Sequence, residues 1–209
     1  MNRLDLDDPE GAIVVANSRV VTYDSVAEDK KLWIKDTNFS LTGLVMDTQL
    51  GAHFADAAVA SFLLSPQDHH RYRSPVTGIV KSFRNIPRNY NQVGPAALES
   101  GVKALKSNAR SYLVIETEKF GDVLFVAIGT KDVRTIRIHE IFRKPGAAIK
   151  KGTEVGCFQY GGSSIIVAFR KGAIKFDQDL LELGRQKIQV SVKVGMSLGK
   201  ANSLNKKVA

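Results

Sequence analysis

A chain of 209 residues, 44% hydrophobic and 24% charged, can bury one sizeable core, and no Pro/Ser-rich linker divides it, so a single domain over 1–209 is expected. Thirty Lys+Arg against 21 Asp+Glu give a dispersed net charge of +9, which reads as a basic solvated surface able to contact an anionic membrane; no nucleic-acid motif accompanies it. The single cysteine, Cys157, excludes an intramolecular disulfide and a cysteine metal cluster, and neither a signal peptide nor a membrane-spanning apolar run is legible, so a cytoplasmic or peripheral-membrane location is expected.

In chain order, Asp7-Asp8-Pro9-Glu10-Gly11 is a turn signal. Ile13–Ala16 reads as a buried strand, broken by Asn17-Ser18-Arg19 and resumed by Val20-Val21. A short strand is predicted over Lys31–Ile34, and Ser40 ahead of Leu41, Leu44 and Val45 predicts a capped helix over 40–50. Val59–Leu64 is the next strand, ended by Ser65-Pro66; Val76–Val80 is a turn and strand, and 86–101 a long polar loop. Ser111–Glu116 and Val123–Ile128 form a hairpin about Lys119-Phe120-Gly121-Asp122. Over Val133–Ile141, Ile136 and Ile138 fall on one face and Arg137 and His139 on the other, which makes His139 solvent-facing. Gly146–Gly156 predicts a hairpin about Lys150-Lys151-Gly152, Asp177–Leu183 a short helix, Ile188–Val194 a strand, and 200–209 a disordered polar tail. Strands outnumber helices and short turns join them. The expected class is therefore α+β: β-rich, with predominantly antiparallel sheets and a few short helices.

Two segments carry chemistry. Gly161-Gly162-Ser163-Ser164 sits between Gly156-Cys157-Phe158 and the apolar run Ile165–Phe169. Its glycines allow a bulge or turn before a buried strand, and a strained Gly-Ser bond also suits chemistry on the backbone itself. Upstream lies Leu64-Ser65-Pro66-Gln67-Asp68-His69-His70-Arg71-Tyr72-Arg73-Ser74-Pro75-Val76-Thr77-Gly78.

On these two segments the chain resembles the phosphatidylserine decarboxylase family, which carries Gly-Gly-Ser-Thr or Leu-Gly-Ser-Thr after Gly-x-Phe, and Leu-Ser-Pro-x-Asp-Tyr-His-Arg-x-His-x-Pro-x-x-Gly. Weaker likenesses at Leu32-Trp33-Ile34-Lys35, Thr117–Gly121 and Phe176–Met196 extend it along nearly the whole chain. The resemblance implies a barrel-sandwich-like core and an N-terminal lead longer than this chain has. It implies self-cleavage between Gly162 and Ser163: the serine attacks the preceding carbonyl, β-elimination cuts the chain, and Ser163 becomes a pyruvoyl group heading 163–209. That ketone is the electron sink for decarboxylation. His70 matches a proton donor for the decarboxylation step.

Three positions depart from the family. Its base histidine is Arg73 here, and a guanidinium stays protonated and accepts no proton. Its orienting aspartate is Asn17, which lacks the charge to stabilise an imidazolium. A glycine near 134 is replaced by Arg134. Asp68 reads as a turn-stabilising acid.

The reading these residues favour is a phosphatidylserine-acting, pyruvoyl-dependent carboxy-lyase without a metal, with oligomerisation left open. Two alternatives stand beside it: a decarboxylase of a free aromatic amino acid such as tryptophan, and an uncleaved pseudoenzyme binding lipid or protein. A biotinyl- or lipoyl-type carrier, suggested by pairing Ser74–Val80 with Lys151–Gly156, lacks the carrier lysine motif.

Overall fold

The computed structural model describes residues 8–25, 41–87, 108–129, 135–159 and 163–202. Its centre is a buried strand, β11 (Ser163–Phe169), apolar on both faces after its two serines. It pairs on one side with β3 (Ala58–Leu64) and on the other with β7 (Gly121–Ile128), both antiparallel. The sheet continues through β2 (Ser18–Tyr23) to β13 (Val190–Val192), and through β6 (Arg110–Thr117) and β5 (Gly78–Ile86) to β9 (Ala148–Ile149). Eight antiparallel strands result, in the order β13-β2-β3-β11-β7-β6-β5-β9.

The two faces of β11 separate two apolar layers, because side chains alternate along a strand. Ile165, Val167 and Phe169 face one cluster, together with Val14, Val15, Tyr72, Val155 and Phe158. That layer is closed by two three-stranded antiparallel sheets. One is β4 (Arg71–Arg73), β10 (Glu154–Gln159) and β8 (Thr135–Ile138), ordered β4-β10-β8; the other is β1 (Gly11–Ile13), β14 (Ser197–Ala201) and β12 (Ile174–Phe176), ordered β1-β14-β12. On the opposite face Ile166 and Ala168 meet Leu41, Leu44, Val45 and Phe54, from and beside α1 (Leu41–Val45) and α2 (Thr48–His53).

Two buried cations hold the periphery. Arg110, fully buried, donates to the carbonyls of Leu44, Asn108 (2.8 Å) and Gly43 (3.2 Å), which spends its hydrogen-bonding capacity at the C-terminal end of α1. Lys151 donates to the carbonyls of Asp8 and Gly11 (3.1 Å) and so clamps the start of β1.

The antiparallel, strand-rich class agrees with the sequence reading, as do the β6–β7 hairpin and the helix after Asp177, α3 (Gln178–Arg185). Three expectations are revised. The strand predicted over Val133–Ile141 ends at Ile138, and Glu140–Arg143 forms a 3-10 turn. The turn at Lys150–Thr153 forms, but its flanking strands do not make a hairpin: β9 pairs with β5, and β10 with β4 and β8. Lys200 and Ala201, placed by the sequence in a disordered tail, belong to β14, where Lys200 pairs with Gly11. The segments Lys31–Ile34, 88–101 and 203–209, with Arg134 and Gly162, lie outside the described residues.

Candidate active site

Ser163 opens β11 opposite Leu64, the last residue of β3. It shares the strand face of Ile165, Val167 and Phe169, so its side chain enters the layer roofed by β4-β10-β8. Ser164 is directed to the helix-covered face. Both hydroxyls are buried and have no hydrogen-bond partner among the described residues. An unmatched buried hydroxyl costs about 1–3 kcal/mol, and a catalytic role is one of the reasons a fold keeps one. Of the two, only Ser163 faces the layer that His70 also enters.

His70 reaches that layer through the loop between β3 and β4. Asp68 folds this loop by accepting from the Ser65 N–H (2.7 Å) and the Ser65 hydroxyl (2.8 Å), the turn-stabilising role expected of it. The His70 carbonyl then accepts from the Phe158 N–H at 3.0 Å, which extends the β4–β10 pairing by one residue. Phe158 lies in the interior cluster, and directly opposed residues of an antiparallel pair share a face. Tyr72, two residues on from His70, is fully buried in the same cluster while Arg71 is exposed. Both relations direct the His70 ring inward, and its Nε2 is buried without a partner.

Asn17 and Arg73 belong to the scaffold around the site. Residues 13–15 are held between two segments: Ile13 N–H donates to Pro75 and Arg73 N–H to Val15 on one side, while Val14 exchanges bonds with Met196 and Gly195 on the other. Two residues later, the Asn17 Oδ1 accepts the Val194 N–H at 2.9 Å. Arg73 donates from Nη1 to the Gly152 carbonyl at 2.8 Å. Each of these side chains is thus joined to backbone.

The outer face of β4-β10-β8 holds a polar cluster that the sequence reading did not assemble. Arg71 (2.6 Å) and His139 Nε2 (3.0 Å) converge on Glu154 Oε1. Burial raises the Glu154 carboxyl, but the hydrogen bonds and charges of His139 and Arg71 outweigh it and hold the group below its ordinary value. His139 is about half exposed, as its strand position suggested, yet it is partnered. Cys157 pairs with Arg71 on one side and Arg137 on the other. Only strand register reveals these neighbours, since 83 residues separate Arg71 from Glu154.

A pyruvoyl group would have to arise from a residue whose hydroxyl is not held by a competing bond, here within an apolar layer. Ser163 meets that description: it is 0% exposed, its hydroxyl is unpartnered, and apolar residues of β3, β7 and β10 surround its strand. The residues present fit the group.

A family model described as phosphatidylserine decarboxylase matches residues 2–200. The chain is 39% identical over 189 residues to phosphatidylserine decarboxylase proenzyme 2 of Oryza sativa subsp. japonica, covering 90% of this chain and 30% of that protein. It is 37% identical over 187 residues to the proenzyme 2 of Komagataella phaffii, covering 88% and 18%. Against the phosphatidylserine decarboxylase proenzyme of Chlamydia muridarum it is 34% identical over 191 residues, covering 91% and 62%. The chain therefore spans less than two thirds of the length of each of these relatives.

Proposed function

The chain belongs to the phosphatidylserine decarboxylase family, and on that premise we propose that it is a pyruvoyl-dependent carboxy-lyase, formed by self-cleavage between Gly162 and Ser163, that decarboxylates phosphatidylserine. The observation that carries this reading is the buried, unpartnered hydroxyl of Ser163, directed from β11 into the interior layer that His70 enters from the facing β4-β10-β8 sheet.

In the cleavage, Ser163 Oγ bonds to the Gly162 carbonyl carbon and the amide nitrogen leaves as an amine, converting amide to ester. Loss of the Ser163 α-proton then expels the Gly162 carboxylate. Hydrolysis of the resulting dehydroalanine releases ammonia, leaving fragments 1–162 and 163–209. Once formed, the ketone at the head of β11 would supply the electron sink for the bonding pair left on the substrate as carbon dioxide departs. His70, directed into the same layer, delivers the proton that the decarboxylated carbon takes up. The surplus of cations favours contact with anionic lipid.

The test is intact mass of the purified chain followed by assay on phosphatidylserine vesicles. Two fragments are expected, the smaller lighter by one ammonia than a serine-headed 163–209, with carbon dioxide released from the vesicles. Ser163→Ala should leave one chain. A wild-type chain that stays whole would replace this reading with a non-catalytic lipid- or protein-binding domain. Cleavage with turnover of free tryptophan but not of vesicles would move the substrate to a free amino acid.

A further inference from the structure

Cleavage needs a base, because a serine hydroxyl attacks a carbonyl only as its proton is removed. The chain has four histidines. His53 pairs with Asp122 at 3.0 Å, on the helix-bearing side of the fold, and His139 pairs with Glu154 at 3.0 Å. His69 is exposed. His70 alone has a buried, unpartnered Nε2. On the same segment as His70, Asp68 is engaged by two bonds from Ser65, and Arg73 by Gly152. Arg73 also carries no lone pair to accept a proton.

His70 is tied to Ser163 from both sides along the chain. Leu64, directly opposite Ser163, begins the loop that returns as His70, and Phe158, bonded to His70, leads through β10 to Ser163. Register directs both side chains into one interior layer.

We propose that His70 is the general base for cleavage of this chain, in addition to its part in decarboxylation; the inference rests on the self-cleavage reading above. Nε2 accepts the Ser163 hydroxyl proton as Oγ bonds to the Gly162 carbonyl carbon. The imidazolium returns that proton to the amide nitrogen as the carbon–nitrogen bond breaks, so the histidine ends neutral and the step balances.

The experiment follows conversion of intact chain to 1–162 and 163–209 by denaturing electrophoresis, for wild type, His70→Gln, His70→Ala and Arg73→Gln, each first shown to be folded by circular dichroism. Both His70 variants are expected to cleave about 100- to 10,000-fold more slowly, the range a positioned base contributes. Arg73→Gln should stay within about tenfold of wild type. Added imidazole should restore part of the rate to folded His70→Ala and none to a Ser163→Ala control. Wild-type cleavage with His70 variants equally fast would overturn the assignment and leave self-cleavage standing. Loss of cleavage in Arg73→Gln, with His70→Ala unaffected, would do the same. A wild-type chain that never cleaves would overturn both.

Discussion

The side-chain oxygen of Asn17 accepts the backbone N–H of Val194 at 2.9 Å, which ties the start of β2 to the turn between β13 and β14. An aspartate would make the same bond with either carboxylate oxygen, and a charge-assisted bond is the stronger of the two. Asn17→Asp should therefore fold with undiminished thermal stability, while Asn17→Ala should lose about 1 kcal/mol in chemical denaturation.

That tolerance permits a test of the departure from the family's cleavage machinery. Arg73→His gives up the bond to the Gly152 carbonyl but places an imidazole in β4, three residues after His70. Alone it should quicken cleavage modestly, because its imidazolium would lack a charged partner. Combined with Asn17→Asp the gain should exceed the sum of the single changes, since groups acting as a unit do not contribute independently. Quantified cleavage of wild type, both single variants and the double variant checks this. Simple additivity would mean that Asn17 and Arg73 do not act together.

Tyr72 donates its hydroxyl to the Arg137 carbonyl at 2.7 Å and packs its ring 4.9 Å from Phe158. Burial, then the nearby Cys157, push its phenol well above its ordinary value, with Arg143 opposing. Because the folded value is raised, this contribution is complete below the unfolded phenol's value, near pH 10, and is lost as pH climbs through the folded value. Tyr72→Phe should cost about 1 kcal/mol at neutral pH and weaken the alkaline loss of stability. Denaturant midpoints at neutral and alkaline pH measure both effects.

Asp8 supplies an acid-side counterpart. The Glu10 N–H, at 2.9 Å, and then the bond and charge of Lys200, at 3.1 Å, lower its carboxyl against the opposing effect of burial. A depressed folded value stabilises the protein above the unfolded carboxylate range and is lost as pH falls through the folded value. Melting temperature should drop on acidification below about pH 4, less steeply in Asp8→Asn. An unchanged slope in the variant would remove Asp8 from the acid transition.

Local signals were the legible ones. The β6–β7 hairpin was readable because two apolar runs flank a tight turn at Gly121, whose φ of +66° suits glycine. Ser163 was marked by its glycines and by the resemblance. What a linear reading could not supply was partner choice. The Lys150–Thr153 turn is local, yet β9 and β10 take partners from β5, β4 and β8, because pairing there buries Ile149, Val155 and Phe158 in the shared layer. The convergence of Arg71 and His139 on Glu154 follows from the same long-range register, as does which of the two apolar layers Ser163, rather than Ser164, enters.

Gly156 shows how tightly that register constrains the approach to Ser163. It pairs with Ile138 of β8 and Tyr72 of β4, and a Cβ built on it would lie 1.8 Å from the Arg137 carbonyl oxygen and 3.0 Å from the Ile138 Cα. Both are backbone atoms, so relief requires the strands to part. Gly156→Ala should cost at least about 1–3 kcal/mol, the range of an overpacked core. It should also slow cleavage, because β10 carries both the Phe158 contact to His70 and the chain entering Ser163. Gly146→Ala is the matched control: its φ is +89° and a Cβ there meets nothing within 4 Å. Backbone strain at that position should lower stability by about 1–2 kcal/mol while the cleavage rate of the folded protein holds. Denaturant midpoints and cleavage time courses on the two variants separate the effects. Equal slowing in both would mean that cleavage follows global stability, and that the geometry of β10 has no particular hold on the Ser163 site.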